Sequence, residues 1–286
     1  MMNIDKIIEL FGLQVKQVDT VPESYSSTVY LLTLDSDEKV VLKIPYNKSK
    51  LLREKGVLDK LKRHFPVPEI IGFWQGDDET VGALLLSYIP GEPIVGAISE
   101  SLAYDIGTLL GSLHKVPMDN YCLSSTPSND WKIALTNRFK EWVEECNFYY
   151  DGDFIKQCEA TFDRLLENLT SHYGPSLLHF DFRPGNILVE NNRITGLIDF
   201  ESSRGGAPGL DFTKIKTYLW DVYPETKEPF IEGYTSVSPL PDLKASLPLY
   251  EFFFGFGGLA WCIRRNKMDD SFYNENYRQV TQFFHV

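Results

Sequence analysis

The sequence predicts a two-lobed α+β protein, and three observations along the chain support this prediction. The first third contains short runs of β-branched and aliphatic residues, whereas the rest contains long amphipathic patterns with helical spacing. The change falls at Pro90-Gly91, a dipeptide typical of a hinge. With 286 residues the chain can bury a substantial core. We therefore expect a β-rich N-terminal lobe with one main helix over residues 1–90, a larger α-helical C-terminal lobe over residues 91–286, and a cleft between them.

The elements of the N-terminal lobe follow from their local patterns. Gly12 ends an opening helix, and the polar residues 35–38 indicate a hairpin turn between two β-rich runs. Phe65-Pro66 ends the next helix, because proline disfavours helical backbone at the residue before it. The predicted elements are, in order, a helix from Ile4 to Phe11, strands over 29–34 and 39–44, a helix over 49–61, and strands over 70–74 and 83–87.

The C-terminal lobe is predicted to be mostly helical up to Val286, with one short hairpin inside it. The strands of this hairpin cover residues 187–189 and 195–198 and are joined at Asn191-Asn192, which favours a tight turn. The first predicted helices of this lobe cover residues 99–114, 131–148 and 154–173.

The composition excludes several classes of protein. The net charge of −12 and the lack of a long Lys/Arg run argue against a nucleic-acid binder, and this acidity also disfavours an anionic membrane surface. The apolar stretch 249–263 contains Glu251 and is shorter than the ~20 apolar residues of a membrane span, so we expect a buried helix. The N-terminal residues include acids and are not expected to form a signal peptide. No C-x-x-C pair occurs, which favours free thiols in the cytoplasm at Cys122, Cys146, Cys158 and Cys262.

The segment from His179 to Glu201 contains the residues that point to a chemical reaction. Asp181 and Asn186 lie five residues apart on a Pro-Gly loop, and Asp199 follows an apolar strand thirteen residues after Asn186. The order H-x-D-x-x-x-x-N, a short hairpin and then Asp-Phe is typical of phosphoryl transfer. There the first Asp accepts the proton of the acceptor hydroxyl, while the Asn and the second Asp bind Mg²⁺ through oxygen atoms. Each residue alone is ordinary in a loop, and only their joint order and spacing indicates catalysis.

With this segment the sequence resembles the aminoglycoside phosphotransferase (APH)/choline kinase-like family of the protein-kinase-like fold. Protein kinases have His-Arg-Asp and Asp-Phe-Gly where residues 179–181 are His-Phe-Asp and residues 199–201 are Asp-Phe-Glu. The chain also lacks a G-x-G-x-x-G loop, an Ala-Pro-Glu motif and room for an activation loop. The resemblance therefore implies a bilobal protein-kinase-like fold and an O-phosphotransferase that acts on a small molecule rather than on a protein.

The resemblance also implies a set of nucleotide-binding residues. Lys43 looks like the strand lysine that bridges the α- and β-phosphates, and Glu54 looks like its helix partner. A solvent-facing strand lysine and an exposed helix carboxylate remain the alternatives. Ser26 and Ser27 would take the place of the missing glycine-rich loop and approach the phosphates with their amides and hydroxyls. The residues whose backbone would contact the purine at the hinge are Ser87, Tyr88 and Ile89.

Four further positions relate to the catalytic loop. Arg183 lies two residues after Asp181 and would either neutralise charge on the γ-phosphate or pair with a nearby acid such as Asp211. Asp211 itself would hold the loop by hydrogen bonds. Phe180 stands where the family usually has glycine, which alters loop packing more than chemistry. Ala207 stands where an Asp is common, so one supporting hydrogen bond is expected to be missing.

The acceptor does not follow from the family, since its members phosphorylate aminoglycosides, macrolides, choline, homoserine, methylthioribose and other hydroxyl compounds. The predicted helices over 131–173 interleave aromatic residues with acids, namely Glu141, Glu144, Glu145, Asp151 and Asp153. Such a surface would suit a polycationic amino sugar through charge-assisted hydrogen bonds and cation–π contacts, although each acid also fits a solvated helix face.

We therefore expect Mg²⁺-dependent transfer of the γ-phosphate of ATP or GTP to a cationic hydroxyl acceptor, an aminoglycoside-type antibiotic, which would make the protein a resistance kinase. The alternative is a metabolic small-molecule kinase, or a macrolide kinase, and a remote alternative is a nucleotide-binding pseudokinase. We expect a monomer or weak homodimer without nucleic-acid or membrane partners.

Overall fold

The computed structural model describes residues 4–21, 27–78, 80–169 and 174–284. The first part of the chain is an antiparallel β-sheet region and the later part is mainly helical, which confirms the predicted α+β class. Backbone contacts group the chain into two compact units, Met1–Leu102 with Asp181–Ser203 and Ala103–Phe180 with Arg204–Val286. The division into lobes 1–90 and 91–286 stays a prediction. In the structure the segment with Asp181, Asn186 and Asp199 belongs to the same unit as the N-terminal strands.

The strands among the described residues are short, and all of their pairings are antiparallel. They are β1 (Val15–Thr20), β2 (Ser27–Leu34), β3 (Lys39–Pro45), β4 (Ile70–Trp74), β5 (Ala83–Ser87), β6 (Glu92–Pro93), β7 (Ser176–Leu178), β8 (Ile187–Glu190), β9 (Arg193–Leu197) and β10 (Arg204–Gly206). The helices of eight or more residues are α2 (Lys48–Leu61), α3 (Glu100–His114), α4 (Trp131–Cys146), α5 (Gly152–Glu167), α7 (Lys227–Thr235), α8 (Leu243–Arg264) and α9 (Ser271–Thr281), and the short ones are α1 (Ile4–Leu10) and α6 (Phe212–Ile215).

The first unit contains a five-stranded sheet in the order β1-β2-β3-β5-β4. Strand β3 is central, and Lys43 lies opposite Val29 on one side and Leu84 on the other. Because β3 is buried along most of its length, Lys43 is only 5% exposed. The central position of β3 therefore buries the charged side chain of Lys43. A buried charge needs partners of opposite charge or hydrogen bonds to compensate for the loss of water.

A smaller sheet in the same unit has the order β6-β8-β9 and holds the loop residues of the site. Its β8–β9 hairpin turns at Asn191 and Asn192, whose φ angles are +52° and +59°. The two-residue turn that best matches the twist of paired strands requires positive φ at both of its residues, and asparagine tolerates this conformation. The predicted hairpin is thus confirmed.

The second unit is organised around helix α8, which packs against α4, α5 and α9. Its core is strongly aromatic, with Phe139 stacked on Phe162 at a centroid distance of 4.1 Å and Trp142 packed on Phe253 at 4.5 Å. Helix α8 is long and apolar enough to cross a membrane, but 72% of its most apolar 18-residue window is buried inside the protein. This confirms the prediction of a buried helix at 249–263.

Local capping explains where two helices depart from the predicted bounds. Helix α4 ends at Cys146 rather than at residue 148, and Asn147 closes it. Helix α5 begins at Gly152 rather than at residue 154, because the Asp151 side chain accepts hydrogen bonds from the amides of Asp153 and Phe154. It ends at Glu167, and residues 170–173 of the predicted helix lie outside the described residues.

Candidate active site

Asp181 lies on a short loop whose other polar residues hold its carboxylate. Asn186 donates from Nδ2 to the backbone oxygen of Asp181 at 2.8 Å and to its Oδ2 at 2.9 Å. Arg183 donates from Nε to the same Oδ2 at 3.1 Å. Pro184 begins a tight 3-10 turn that ends at Asn186, which brings the amide back over Asp181. The carboxylate of the predicted proton acceptor is therefore held by two hydrogen bonds from its own loop, and its backbone oxygen accepts a third.

The contact of Arg183 bears on one of the open predictions. Of the two roles considered, charge neutralisation at the phosphate and pairing with a nearby acid, the structure shows a pairing, and the acid is Asp181. The Arg183 side chain is still 36% exposed. Its positive charge lies directly beside the Asp181 carboxylate.

Asn186 and Asp199 are brought together by the β8–β9 hairpin. Ile187 pairs with Leu197, and the amide of Ile198 donates to the backbone oxygen of Asn186 at 3.0 Å. Asp199 then turns away from the strand with φ +70°, a left-handed conformation that asparagine and aspartate tolerate better than most residues. A 3-10 turn, Phe200–Ser202, follows. The hairpin thus presents an amide and a carboxylate from adjacent strand ends.

Lys43 and Glu54 form the predicted ion pair, and both alternatives that left them in solvent are wrong. Lys43 Nζ donates to Glu54 Oε1 at 2.8 Å and to Asp199 Oδ1 at 2.7 Å. Lys43 and Glu54 are 5% and 1% exposed. One ammonium therefore ties strand β3, helix α2 and the Asp199 loop together.

A third carboxylate, Glu201, completes this cluster and was not predicted from the sequence. Its Oε2 lies 3.7 Å from Lys43 Nζ. Glu54, Asp199 and Glu201 lie close enough together to hold a metal ion. In the structure the Lys43 ammonium is the cation among them. The sequence signal was the Glu of Asp-Phe-Glu, where protein kinases have glycine.

The charge balance of this cluster determines its protonation. Burial lowers the pKa of Lys43, but the charges of Asp199, Glu54 and Glu201, with the hydrogen bond to Asp199, outweigh it and raise this pKa above its ordinary value. Burial raises the pKa of Glu54 to about 7, with Asp199 and Glu201 adding to the shift and Lys43 opposing it. Lys43 thus stays protonated, and Glu54 gains a proton more easily than an ordinary glutamate.

In the second unit, Asp211 holds the two residues that precede Asp181. Its carboxylate accepts from the amides of His179 and Phe180, each at 2.8 Å, which confirms the expected hydrogen bonds to the loop. His114 Nε2 lies 3.2 Å from the same carboxylate, and His114 Nδ1 lies 2.9 Å from the Tyr234 hydroxyl. His114, the last residue of helix α3, thus connects Asp211 to Tyr234.

Phe180 adopts a backbone conformation that glycine adopts without strain. Its φ is +71°, which costs a residue with a side chain roughly 1–2 kcal/mol. Its ring compensates by packing: the Arg204 guanidinium lies 4.3 Å from the ring centroid, and Phe254 meets it edge-on at 5.2 Å. Asp211 also fixes the Phe180 amide. The loop therefore combines backbone strain with aromatic contacts one residue before Asp181.

Two substitutions separate these opposing effects. Phe180→Ala removes the ring and keeps the strain, whereas Phe180→Gly removes both. We therefore expect the Gly variant to be more stable to unfolding than the Ala variant by about 1 kcal/mol, the reverse of the usual order for these residues. Urea denaturation of both variants measures the difference. An Ala variant as stable as the Gly variant would show that the left-handed backbone carries no strain here.

The remaining predicted nucleotide contacts are only partly described. Ser26 lies outside the described residues, and Ser27 begins strand β2 opposite Pro45. At the hinge, the Ser87 amide donates to the backbone oxygen of Glu69 and the Ser87 hydroxyl accepts from the Glu69 amide, each at 2.9 Å. Tyr88 and Ile89 follow β5, and the backbone of Ser87, Tyr88 and Ile89 remains the predicted purine contact.

The acids of the predicted insert have mostly local partners. Arg138 donates to Glu141 at 2.6 Å, Arg264 pairs with Glu145, and Lys156 lies 3.9 Å from Asp153. Asp151 caps helix α5. These four acids are explained by helix caps and ion pairs, so they give little support to an amino-sugar surface.

Comparison with known proteins identifies what this chain is similar to. The model of the family described as "Phosphotransferase enzyme family" (APH) matches residues 18–242. The GDP and kanamycin complex of an APH(2'') enzyme superposes with a TM-score of 0.74 at 16% identity, covering 99% of this chain and 98% of that one. The streptomycin–ATP ternary complex of another APH(2'') enzyme gives 0.71 at 19% identity, with coverage of 100% and 99%. Macrolide 2'-phosphotransferase type I gives 0.68 at 16% identity, with 98% of each chain covered. No curated protein matches the sequence significantly.

Proposed function

Because the chain belongs to the phosphotransferase enzyme family, we propose that it transfers the γ-phosphate of ATP or GTP to a hydroxyl of a small molecule in the cytoplasm. One observation carries this proposal: Lys43 binds Glu54 and Asp199 at once, while Asn186 holds Asp181 on the loop next to them. Phosphoryl transfer needs this combination of a phosphate-binding cation, oxygen ligands and a proton acceptor. The same residues argue against a pseudokinase.

The residues fit a magnesium ion. Asn186 uses its Nδ2 for Asp181, so its amide oxygen is the atom left to act as a ligand, and the Asp199 side chain is 34% exposed. Amide and carboxylate oxygens are the donors that Mg²⁺ prefers. When bound, the ion would neutralise charge on the nucleotide phosphates. We assign Asn186 and Asp199 as the residues that would hold it.

The chain's own residues would perform the remaining steps. Asp181 would accept the proton of the acceptor hydroxyl at its carboxylate, which Asn186 and Arg183 keep in a fixed orientation. Lys43, positioned by Glu54, would bind the nucleotide phosphates. The Arg183 cation would stabilise the negative charge that develops during transfer. Positioning and charge neutralisation supply most of the rate in this reaction class.

For the acceptor we propose an aminoglycoside-type antibiotic, since two of the similar solved structures contain kanamycin and streptomycin. A macrolide or a metabolic hydroxyl compound is the second candidate, and a specific observation favours it: four acids of the insert are already used in caps and ion pairs. A neutral or weakly basic acceptor does not need those acids.

A panel assay tests both levels of the proposal. The purified protein is incubated with Mg²⁺ and ATP or GTP and with kanamycin, streptomycin, a macrolide, choline, homoserine or methylthioribose, and nucleoside diphosphate release is measured. We expect release that requires an acceptor and disappears with EDTA. Release with an aminoglycoside supports a resistance kinase, and release only with another compound assigns the acceptor to that class. Nucleotide binding without transfer to any of them would contradict the enzymatic proposal.

A further inference from the structure

Glu201 is a buried carboxylate at the junction of helix α2 and the Asp199 loop. It is 2% exposed. Its Oε1 accepts from Lys50 Nζ at 2.6 Å, and its backbone oxygen accepts from Arg53 Nη1 at 2.9 Å. Its Oε2 is buried with no hydrogen-bond partner among the described residues and lies 3.7 Å from Lys43 Nζ. Burying such a carboxylate is costly unless its charge is balanced, so its position calls for a physical explanation.

The partners of Glu201 explain what it holds. Lys50, Arg53 and Glu54 are spaced i, i+3 and i+4, so they share one face of helix α2. Two of these residues bind Glu201, and the third binds Lys43. The helix that supplies Glu54 is thus attached to the loop two residues after Asp199. If this attachment were lost, Glu54 and Asp199 could separate, and Lys43 would lose its fixed place between them.

We propose that Glu201 is a positioning residue for nucleotide binding, which attaches helix α2 to the Asp199 loop and keeps the Lys43 ammonium centred. This inference rests on the proposed function. In this proposal Lys50 holds Glu201 through their ion pair, and neither residue contacts the phosphate or the acceptor hydroxyl. Glu201 Oε2 places a third negative charge 3.7 Å from the Lys43 ammonium, in addition to those of Glu54 and Asp199.

The test measures nucleotide affinity directly by calorimetry with Mg-ADP, so it needs no acceptor. Glu201→Gln keeps the shape and removes the charge, and we expect the Kd for Mg-ADP to rise about tenfold or more. Lys50→Met breaks the same attachment from its more exposed end, and we expect a Kd increase of about threefold to tenfold. The double variant should bind Mg-ADP about as weakly as Glu201→Gln alone, because both changes remove the same interaction between Lys50 and Glu201.

The matched control is Lys55→Met. Lys55 lies on the same helix and pairs with Asp59 at 2.7 Å, on a more exposed side. We expect the Kd of Lys55→Met for Mg-ADP to equal that of the wild type. The Tm of every variant is measured in parallel. Unchanged affinity in Glu201→Gln or Lys50→Met, or equal weakening in Lys55→Met, would overturn the positioning role. Wild-type protein that does not bind Mg-ADP at all would instead overturn the proposed function.

A kinetic readout separates positioning from a general loss of structure. In the panel assay, Glu201→Gln should raise KM for the nucleotide and leave KM for the acceptor unchanged. Glu201→Asp keeps the charge and should recover part of the nucleotide affinity. The proposal would be contradicted if Glu201→Gln raised the KM for the acceptor as much as the KM for the nucleotide. It would also be contradicted if Glu201→Asp bound the nucleotide no better than Glu201→Gln.

Discussion

Replacing Asp181 by asparagine is expected to lower kcat by about 10²- to 10⁴-fold, the usual contribution of a positioned proton acceptor. The amide of asparagine cannot accept a proton from the hydroxyl. It would also present an NH₂ group or a weaker acceptor to Asn186 Nδ2 and Arg183 Nε, which now bind one carboxylate oxygen. The hydrogen bonds of Lys43 to Glu54 and Asp199 do not involve this side chain. Nucleotide affinity should therefore change by less than about threefold.

Steady-state kinetics with the active acceptor, together with calorimetry on Mg-ADP, measures both quantities. Asp59→Asn is the matched control, because Asp59 is a partly exposed carboxylate that also binds two side-chain nitrogens, those of Lys55 and Lys62. It should retain full turnover. If Asp181→Asn retains more than about a tenth of wild-type kcat, Asp181 is not the proton acceptor. A parallel loss of nucleotide affinity would show that it acts through the fold of the loop.

Replacing Lys43 by methionine is expected to destabilise the protein by about 3–5 kcal/mol at neutral pH, because it leaves buried carboxylates without their cation. Glu54, with 1% exposure, is the most affected. The same change removes the group that would bind the phosphates, so nucleotide affinity should also fall. Lys43→Arg keeps the charge and should be less destabilising, although a planar guanidinium cannot reproduce the contacts of one ammonium.

The loss of stability in Lys43→Met should depend on pH in a defined direction. The pKa of Glu54 is already raised to about 7 in the presence of Lys43, and without the cation it rises further. The folded state then binds a proton that the unfolded state, with an ordinary Glu pKa near 4.5, has released. The wild type loses this stabilisation as pH rises to about 7, whereas the variant goes on losing it above that pH. The deficit of the variant therefore grows between pH 5.5 and pH 8.

Urea denaturation of wild type and variant at pH 5.5 and pH 8 measures this change. Adding Glu54→Gln to Lys43→Met should remove most of the extra pH dependence, because the amide does not titrate. A deficit that is the same at both pH values would mean that Glu54 is ionised in the folded variant. The assignment of the raised pKa to this residue would then be wrong.

Much of the fold could be predicted because its elements have strong local patterns. Strands β4 and β5 were placed at their observed bounds, and the main helix of the N-terminal region begins one residue earlier than expected. Strand β1 gave no such signal. Every residue of β1 after Val15 is exposed, so no buried face imposes apolar alternation on its sequence, and the pattern does not predict this strand.

The candidate site divides in the same way. One stretch of nineteen residues contains Asp181, Arg183, Asn186 and Asp199. Their order and spacing were enough to predict that they belong to one site. The pair of Lys43 and Glu54 needed the family resemblance as well, since a strand lysine and a helix glutamate are ordinary by themselves. Glu201 had only one signal, the Glu that replaces a kinase glycine, and that signal does not indicate a partner.

The sequence alone was enough to predict a phosphotransferase, because Asp181, Asn186 and Asp199 follow the order and spacing typical of phosphoryl transfer. Only the tertiary structure decided which charges surround Lys43. Lys50 and Arg53 contact Glu201 although 151 and 148 residues separate them in the sequence. A local sequence pattern cannot predict contacts between residues so far apart in the chain. The physical reason is that burial, not sequence spacing, selects these partners: a carboxylate removed from water must find cations wherever the fold brings them.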